Sequence, residues 1–373
     1  MVLRIIGICG LLLLFVSSIH AQDGDVADWP TFRQNVTRTA VLSATDITES
    51  PTLKWRFDTG GVVESSPAIV DGVLYQGTFA NNLFAIDIET GAEIWHFPVG
   101  GLLRASPSVV DGVVYFGADD NRFYAVDAAT GEERWQFPLG GGGEQSSPAI
   151  VDGVVYFGAF DNNLYALNAD TGEEIWRFPT GAGMLSSPAV EEGIVYIGSI
   201  DRHVYAVDAQ TGAEVWRFET GASIFSSPAI AGGIVYIGSD DGNIYALDAA
   251  SGGEVWRFTA GREVFSSPTV FDGTVYVGAH TGFVYALDAE SGVLVWQTPI
   301  GGAVFSSPAV SDAMVYIGSS DFRVYALNRA DGEPVWMAGV GEKVWTSPSL
   351  VDGVLYFGSH DHFIYAVIDG EEE

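Results

Sequence analysis

The sequence predicts an all-β protein, an eight-bladed β-propeller in which each blade has four strands. A tryptophan recurs every 40 residues, with one step of 41, at Trp55, Trp95, Trp135, Trp176, Trp216, Trp256, Trp296 and Trp336. A Ser-Pro pair recurs with the same period, and the residues between successive pairs form four short β-rich runs. Four-stranded units of this length are typical of propellers and leave no room for a helix.

One unit shows the four runs in chain order. The first begins at Ser227-Pro228, and the others cover 234–238, 244–248 and 254–258. Each is rich in β-branched and aromatic residues and ends at turn residues, which is the pattern of a strand of about five residues. We name the strands A to D in chain order, with strand A nearest the propeller axis.

The strand count also predicts how the ring closes. Strands A, B and C each occur eight times, whereas strand D follows a strand C only seven times. A run with the strand D pattern, centred on Trp55, precedes the first unit. We therefore expect residues 53–58 to complete the last blade of a propeller that covers 53–369. Closure hides the sheet edges, which favours a monomer.

Residues 1–21 have the pattern of a signal peptide. Arg4 precedes an apolar run over 5–16, and a small residue, Ala21, ends the following stretch. The apolar run is short for a bilayer span, so cleavage is favoured over retention as an anchor. We expect an exported protein, periplasmic or extracellular, without stable membrane insertion.

The remaining terminal regions are assigned by exclusion. Residues 22–52 form a lead-in to the propeller, and 370–373 form an acidic tail. Cys9 is the only cysteine and leaves with the signal peptide. The residue before it is Ile8, whereas a lipid-attachment site needs a small residue there. No lipid anchor is therefore expected.

The charge excludes one class of partner. The chain has 48 acidic and 16 basic residues and a net charge of -32, which would repel a nucleic acid over most of the surface. Many acidic residues fall in the A–B and C–D turns, which share one face of a propeller. Solvation explains these residues most simply, and a weak site for divalent cations or a basic partner is the alternative.

A longer motif links the sequence to a known family. The segment from Ala85 to Trp95 reads Ala-x-Asp-x-x-Thr-Gly-x-x-x-Trp and recurs with small changes in the later units, until it is cut short after Ala366. It resembles the tryptophan-docking motif of pyrroloquinoline-quinone-type (PQQ-type) repeats, which occur in quinoprotein dehydrogenases and in BamB-like propellers. The resemblance covers residues 28–367 and implies the same eight-bladed fold.

The motif also has a physical interpretation. The aspartate can accept hydrogen bonds from the C–D turn, and the Thr-Gly pair makes that turn tight. The tryptophan can bury its ring against the neighbouring blade and donate its N–H to a backbone carbonyl. Residues that recur in every blade serve the ring, so all eight tryptophans are expected to be structural.

Function is expected where the units differ. The residue two places before each Ser-Pro pair lies where strand A enters the central channel. In blade order it is Glu64, Arg104, Gln145, Leu185, Phe225, Phe265, Phe305 and Trp345. Three polar residues are thus contiguous, and so are four aromatic residues on the opposite arc. They are either core of the channel mouth, or a funnel that binds an extended peptide on its aromatic half, with Glu64 and Arg104 as polar anchors.

The B–C loops of the same face carry four of the six histidines, His203, His280, His360 and His362. His280 and His360 are two blades apart, and the pair His360 and His362 alone is a poor chelating set. We expect no metal site here and interpret these residues as exposed loop histidines.

Two functions from different classes follow from the resemblance. A quinoprotein dehydrogenase would imply bound PQQ, a calcium ion, a catalytic aspartate and a pair of adjacent cysteines. The predicted mature chain has no cysteine, and its near-constant repeat length leaves no long insertions to build such a site. The BamB-like subset implies instead a non-catalytic scaffold that holds a partner protein or an extended peptide. We expect the scaffold, with no cofactor and no catalytic residue, and keep the PQQ-binding dehydrogenase as the alternative.

Overall fold

The computed structural model describes residues 28, 30–32, 34–35, 37, 41–42, 45–141 and 146–370. These residues form strands and turns without a helix, so none of them belongs to a helix that could cross a membrane. The predicted signal peptide, Gln145 and residues 371–373 of the acidic tail lie outside the described residues.

The strands follow one another at regular intervals. The lead-in contributes β1 (Val41–Leu42) and β2 (Thr52–Asp58). Blades 1 to 4 contain β3 (Ala68–Val70), β4 (Val73–Gly77), β5 (Asn82–Asp87), β6 (Glu93–Pro98), β7 (Ser108–Val110), β8 (Val113–Ala118), β9 (Arg122–Asp127), β10 (Glu133–Pro138), β11 (Ala149–Val151), β12 (Val154–Gly158), β13 (Asn163–Asn168), β14 (Glu174–Pro179), β15 (Ala189–Glu191), β16 (Ile194–Gly198), β17 (His203–Asp208) and β18 (Glu214–Glu219). Blades 5 to 8 contain β19 (Ala229–Ala231), β20 (Ile234–Gly238), β21 (Asn243–Asp248), β22 (Glu254–Thr259), β23 (Thr269–Phe271), β24 (Thr274–Gly278), β25 (Phe283–Asp288), β26 (Leu294–Pro299), β27 (Ala309–Ser311), β28 (Met314–Ser319), β29 (Arg323–Asn328), β30 (Pro334–Gly339), β31 (Ser349–Val351), β32 (Val354–Gly358) and β33 (Phe363–Ile368).

The strands form eight sheets, each with four antiparallel blade strands, which confirms the predicted propeller. Seven blades take their four strands from consecutive chain, in the order A, B, C, D. The last blade has the order β2-β33-β32-β31, in which Trp55 of β2 pairs with Ala366 of β33. The N-terminal strand thus closes the ring, as the strand count predicts.

The inner strands are shorter than expected. Each strand A has three residues rather than about five, because the Ser-Pro pair lies outside the pairing with strand B. Proline lacks the N–H that a sheet hydrogen bond needs. The serine makes its hydrogen bonds to neighbouring blades instead.

These serines form a closed ring of hydrogen bonds around the channel, which we call the serine ring. The backbone N–H of each donates to the Oγ of the equivalent serine in the next blade, at 2.8–3.1 Å. The last bond joins Ser347 to Ser66, that is, blade 8 to blade 1. The members are Ser66, Ser106, Ser147, Ser187, Ser227, Ser267, Ser307 and Ser347. All are buried.

The tryptophans of strand D join the blades at the outer side. Each Nε1–H donates to a backbone carbonyl, seven times in the following blade, at 2.7–3.0 Å. A bulge in the pairing with strand C precedes each tryptophan, and such bulges redirect the next side chain. The motif glycine packs on the same ring. A Cβ on Gly252, whose φ is +70°, would lie 2.6 Å from Trp216.

The lead-in supplies the eighth of these contacts. Trp336 of blade 7 donates to the carbonyl of Ile47 at 2.7 Å. The N–H of Ile47 in turn donates to the Tyr316 hydroxyl at 3.0 Å, and that hydroxyl donates to Asp46 at 2.9 Å. Strand β1 pairs in parallel with β27 of the same blade. The segment before β2 therefore occupies the docking position that a further C–D turn would fill.

Replacing Ser227 by alanine should lower the free energy of unfolding by about 1–3 kcal/mol, because the buried N–H of Ser187 loses its acceptor. Urea denaturation measures the change. The matched control is Ser50→Ala, at an exposed serine outside the serine ring, which should change stability by less than about 0.5 kcal/mol. Equal stability of the two variants would contradict a structural role for the serine ring.

Candidate functional site

Residues of two kinds of loop alternate around one mouth of the channel. The D–A loops place the side chains predicted from the repeat comparison, and the B–C loops place a second set between them. Arg104 contacts Phe79 of the preceding blade, with its guanidinium 4.6 Å from the ring centre, and Asp119 of its own blade at 3.3 Å. The same relation recurs around the mouth, so the site has two interleaved sets of residues.

Six rings form a continuous arc that we call the aromatic belt. Its members, in order around the mouth, are Phe225, Phe265, His280, Phe305, Trp345 and His360. Successive ring centres are 4.2–4.7 Å apart. The structure thus brings together the four aromatic residues predicted from the sequence and adds two histidines between them.

Two pairs of belt rings are stacked face to face. Phe225 stacks on Phe265 with an interplanar angle of 16°, and Phe305 stacks on Trp345 at 24°. Each contact covers one face of both rings and leaves their edges free of it. The edge of an aromatic ring carries the positive part of its quadrupole. The belt is therefore an apolar surface that favours electron-rich groups.

The polar end of the arc is a chain of close contacts between charged and polar side chains. Glu64 lies 3.2 Å from Arg104 through one carboxylate oxygen and 3.4 Å from Nε2 of His360 through the other. Arg104 also reaches Asp119, whose carboxyl pKa is raised mainly by burial although the arginine opposes the shift. The two anchors predicted from the sequence, Glu64 and Arg104, thus pair with each other and with the loops beside them.

The belt histidines are largely buried, so the expectation that they are exposed loop residues was wrong for these two. The side chains of His280 and His360 are 13% and 16% exposed. Burial lowers the pKa of each imidazole below its usual value, so both are neutral at pH 7. In the described part of the chain, no three histidine, cysteine or acidic residues are placed to hold a metal ion.

A further acidic residue, Asp240, lies in a B–C loop of this mouth. Asp240 occupies in blade 5 the position of Asp119 in blade 2 and His280 in blade 6. Burial, followed by repulsion from Glu263 and Asp241, raises its pKa to about 6. Its carboxyl group is therefore only weakly acidic for an aspartate, and no cation of the described chain is paired with it.

The funnel leads to a cavity of about 360 Å³ along the axis. The serine ring lines it together with the belt phenylalanines, Trp345, Glu64 and Arg104. Leu185 lies on the arc opposite the polar chain and is half-buried, whereas Phe160 nearby is 37% exposed. Phe32 of the lead-in reaches the cavity from the other side.

All eight D–A residues were predicted at this mouth; seven of them line the cavity, and the eighth, Gln145, lies outside the described residues. Sequence reasoning missed His280, His360 and the serine ring as parts of the site. The recurrence of Ser-Pro in every unit was a signal for the ring, but recurrence alone did not show that the hydroxyls face the channel. The histidines carried no such signal, because their burial depends on neighbouring blades.

The neutral histidines predict a pH dependence of stability. Because their pKa is lower in the folded state than the usual 6.5, their contribution is complete above that value and is lost as the pH falls below it. The thermal midpoint should therefore fall between about pH 7 and pH 5. In the double variant His280→Phe/His360→Phe this fall should be smaller.

The matched control is His96→Phe, at a half-exposed histidine on strand D of blade 1. It should keep the wild-type pH profile. A double variant with the same profile as His96→Phe would show that the belt histidines do not cause the fall.

Comparison with known proteins gives the family. The sequence profile described as outer membrane protein assembly factor BamB matches residues 38–177, 160–252 and 240–371. No curated protein sequence matches the chain. Among solved structures, BamB from Moraxella catarrhalis is similar with a TM-score of 0.74 and 19% identity, over 85% of this chain and 99% of that one.

Two other solved structures show how widely the fold is shared. The computationally designed protein Ika8 has a TM-score of 0.74 and 20% identity, over 83% of this chain and 96% of its own. The quinohemoprotein alcohol dehydrogenase from Comamonas testosteroni has a TM-score of 0.79 and 18% identity, over 93% and 81%. At these identities the structural likeness shows the fold alone, whereas the sequence profile covers nearly all of the propeller. The chain therefore belongs to the BamB family of PQQ-like repeat propellers.

Proposed function

We propose that this protein is an exported, non-catalytic scaffold that binds an extended segment of a partner protein in the funnel. The observation that carries the proposal is the aromatic belt, which interrupts the eightfold repeat on one side of the mouth. A contiguous apolar surface beside fixed polar groups is the usual composition of a recognition site. Burying one large apolar side chain there would contribute about 1.5–3 kcal/mol.

The polar groups at the mouth support binding rather than catalysis. A general base or nucleophile needs a free partner within hydrogen-bond distance of its substrate. Here Glu64 and Arg104 are engaged with each other, and His360 lies against Glu64 and the Trp345 ring. These groups can orient a bound segment, and their contacts with one another support that role.

The proposed location rests on the sequence and the family. The pattern of residues 1–21 favours export, and the matched family is described as an outer membrane assembly factor. The high acidity suits a solvated surface outside the cytoplasm. We propose a monomer that works in the periplasm or outside the cell.

The double variant Phe265→Ser/Phe305→Ser should lose binding at least tenfold, because it removes two central rings of the belt. Random seven-residue peptides displayed on phage provide ligands through selection on the immobilised wild-type protein. Isothermal titration calorimetry with the synthetic peptides then compares the variants.

The matched control is Ile175→Ser/Val255→Ser, at two exposed apolar positions on strand D of other blades. It should bind as the wild type does. Unchanged affinity in the belt variant, with circular dichroism showing an intact fold, would contradict the proposed site.

The competing function is PQQ-dependent oxidation, which the fold likeness to the Comamonas testosteroni enzyme suggests. The residues at the funnel fit that cofactor poorly. PQQ is a planar tricarboxylate, whereas Arg104 is the one cation among the described residues that line the cavity, and it is already paired with two carboxylates. The belt rings also stack on one another, so a planar quinone would have to compete with these contacts.

Titration of the purified protein with PQQ, with and without calcium, should give no saturable change in tryptophan fluorescence up to near-millimolar cofactor. Saturable quenching with a Kd below roughly 10 μM, about 7 kcal/mol of binding, would favour the dehydrogenase. Trp345→Phe would then show whether the quenching comes from the funnel.

A further inference from the structure

Described residues of the lead-in contact the inner strands of two blades beneath the funnel. The carbonyl of Pro30 accepts a hydrogen bond from Val109 of blade 2 at 2.7 Å, and that of Thr37 accepts one from Ile230 of blade 5 at 3.0 Å. Each contact lies three residues beyond the serine ring along strand A, or about 10 Å deeper in the channel. The lead-in thus passes from blade 2 to blade 5 below the cavity, and Phe32 lines it from that side.

The position of the lead-in beneath the cavity limits what can occupy the funnel. A chain that passes straight through would have to displace the lead-in and its hydrogen bonds to the inner strands. A chain end can instead enter from the open mouth and stop at the serine ring. The depth of the funnel therefore favours binding of the end of a partner segment over binding of its middle.

The serine ring determines which end of a partner chain, the N-terminus or the C-terminus, fits the funnel. Each Oγ accepts a hydrogen bond from the preceding blade, which uses one of its two lone pairs. In seven of them the hydroxyl hydrogen has no acceptor among the described residues: Ser66, Ser106, Ser187, Ser227, Ser267, Ser307 and Ser347. These seven side chains are at least nine-tenths buried and line the cavity. The floor of the funnel is therefore a ring of hydrogen-bond donors.

A carboxylate is the chain end that matches such a floor. It has two oxygens and only accepts hydrogen bonds, which hydroxyl donors can supply. An N-terminal ammonium has three donors and no acceptor, so it would leave the hydroxyl hydrogens without partners. The belt adds ring edges of positive character above the floor.

We propose that the funnel binds the C-terminal end of a partner chain. The carboxylate lies on the serine ring, and the last side chain, apolar or aromatic, packs on the belt between Phe225 and Trp345. This inference rests on the proposed function and names the part of the partner that the site recognises. Capture of a terminal carboxylate by groups arranged in advance is a known mode of peptide recognition.

The net charge gives the site an unusual salt dependence. A carboxylate approaches a protein of charge -32 against long-range repulsion, and Arg104, the cation among the described residues that line the cavity, is already paired. Added salt screens that repulsion beyond about 8–10 Å but leaves the buried hydrogen bonds nearly unchanged. Affinity should therefore rise with ionic strength, the reverse of binding by opposite charges.

The test changes the ligand and leaves the protein intact. Two libraries of random seven-residue peptides are selected on the purified protein, one displayed with free C-termini and one with free N-termini. The C-terminal library should enrich sequences that end in an apolar or aromatic residue. The enriched peptides are then synthesised as free acids and as C-terminal amides and compared by calorimetry.

The free acid should bind at least tenfold more tightly than its amide, and its affinity should rise from about 20 mM to about 500 mM NaCl. Both effects should disappear in Phe265→Ser/Phe305→Ser. Enrichment from the N-terminal library alone, or from neither library, would overturn the inference.

Two results separate this inference from the proposed function. Equal affinity of acid and amide, with both lost in the belt variant, overturns C-terminal recognition and leaves the funnel as the binding site. Binding that the belt variant retains, whichever peptide is used, overturns both.

Discussion

The hydrogen bonds of the serine ring join all eight blades at the channel. Each blade is a small sheet whose inner strand has only three residues, too short to position the blade by its own pairing. The bond from each serine N–H to the next Oγ fixes neighbouring inner strands at a constant separation. The last bond, from Ser347 to Ser66, makes the ring continuous. The channel diameter and the placement of the loops at its mouth both follow from this ring.

The site is built from departures from the repeat on that regular frame. Equivalent backbone positions carry phenylalanine and tryptophan on one arc and Glu64 and Arg104 on the other. The frame sets their spacing, so rings in successive blades meet at stacking distance without special loops. A single frame thus presents a polar and an apolar surface to the same cavity.

The serine ring also takes part in the site, which joins stability to recognition. One side of each hydroxyl holds the neighbouring blade, and the other faces the cavity. An alanine there would weaken the frame and remove a donor at once, so the two roles cannot be separated by deleting a serine. For this reason changes in the ligand are more informative than changes in the ring.

The fold could be predicted almost completely from the sequence, because a strict period of about forty residues constrains every blade alike. The strand arithmetic even located the closing strand near Trp55, which pairs with Ala366. The lead-in was harder to predict, since its contacts with Tyr316 and Trp336 join residues about 270–290 positions apart. No local pattern records such pairs.

Which residues belong to the site could be predicted from the sequence, but the contacts between them could not. Comparing equivalent positions found Phe265, Phe305 and Trp345, because they break the repeat. It did not show that Glu64 and Arg104 pair with each other, since residues one full repeat apart come into contact only when blades 1 and 2 pack side by side. The burial of His360 likewise depends on blade 1, which the chain forms first.

The closing strand also has a consequence for folding during synthesis. Strand β2 is synthesised first, yet its partner β33 follows about 300 residues later. At ordinary rates of synthesis this interval is roughly 15–60 s. Until then the propeller is an open crescent, in which Trp55 can already dock on blade 1 through the carbonyl of Ile88. The nascent chain therefore has two unmatched faces, one at each end of the crescent, and a chaperone that shields them would act before the last blade emerges.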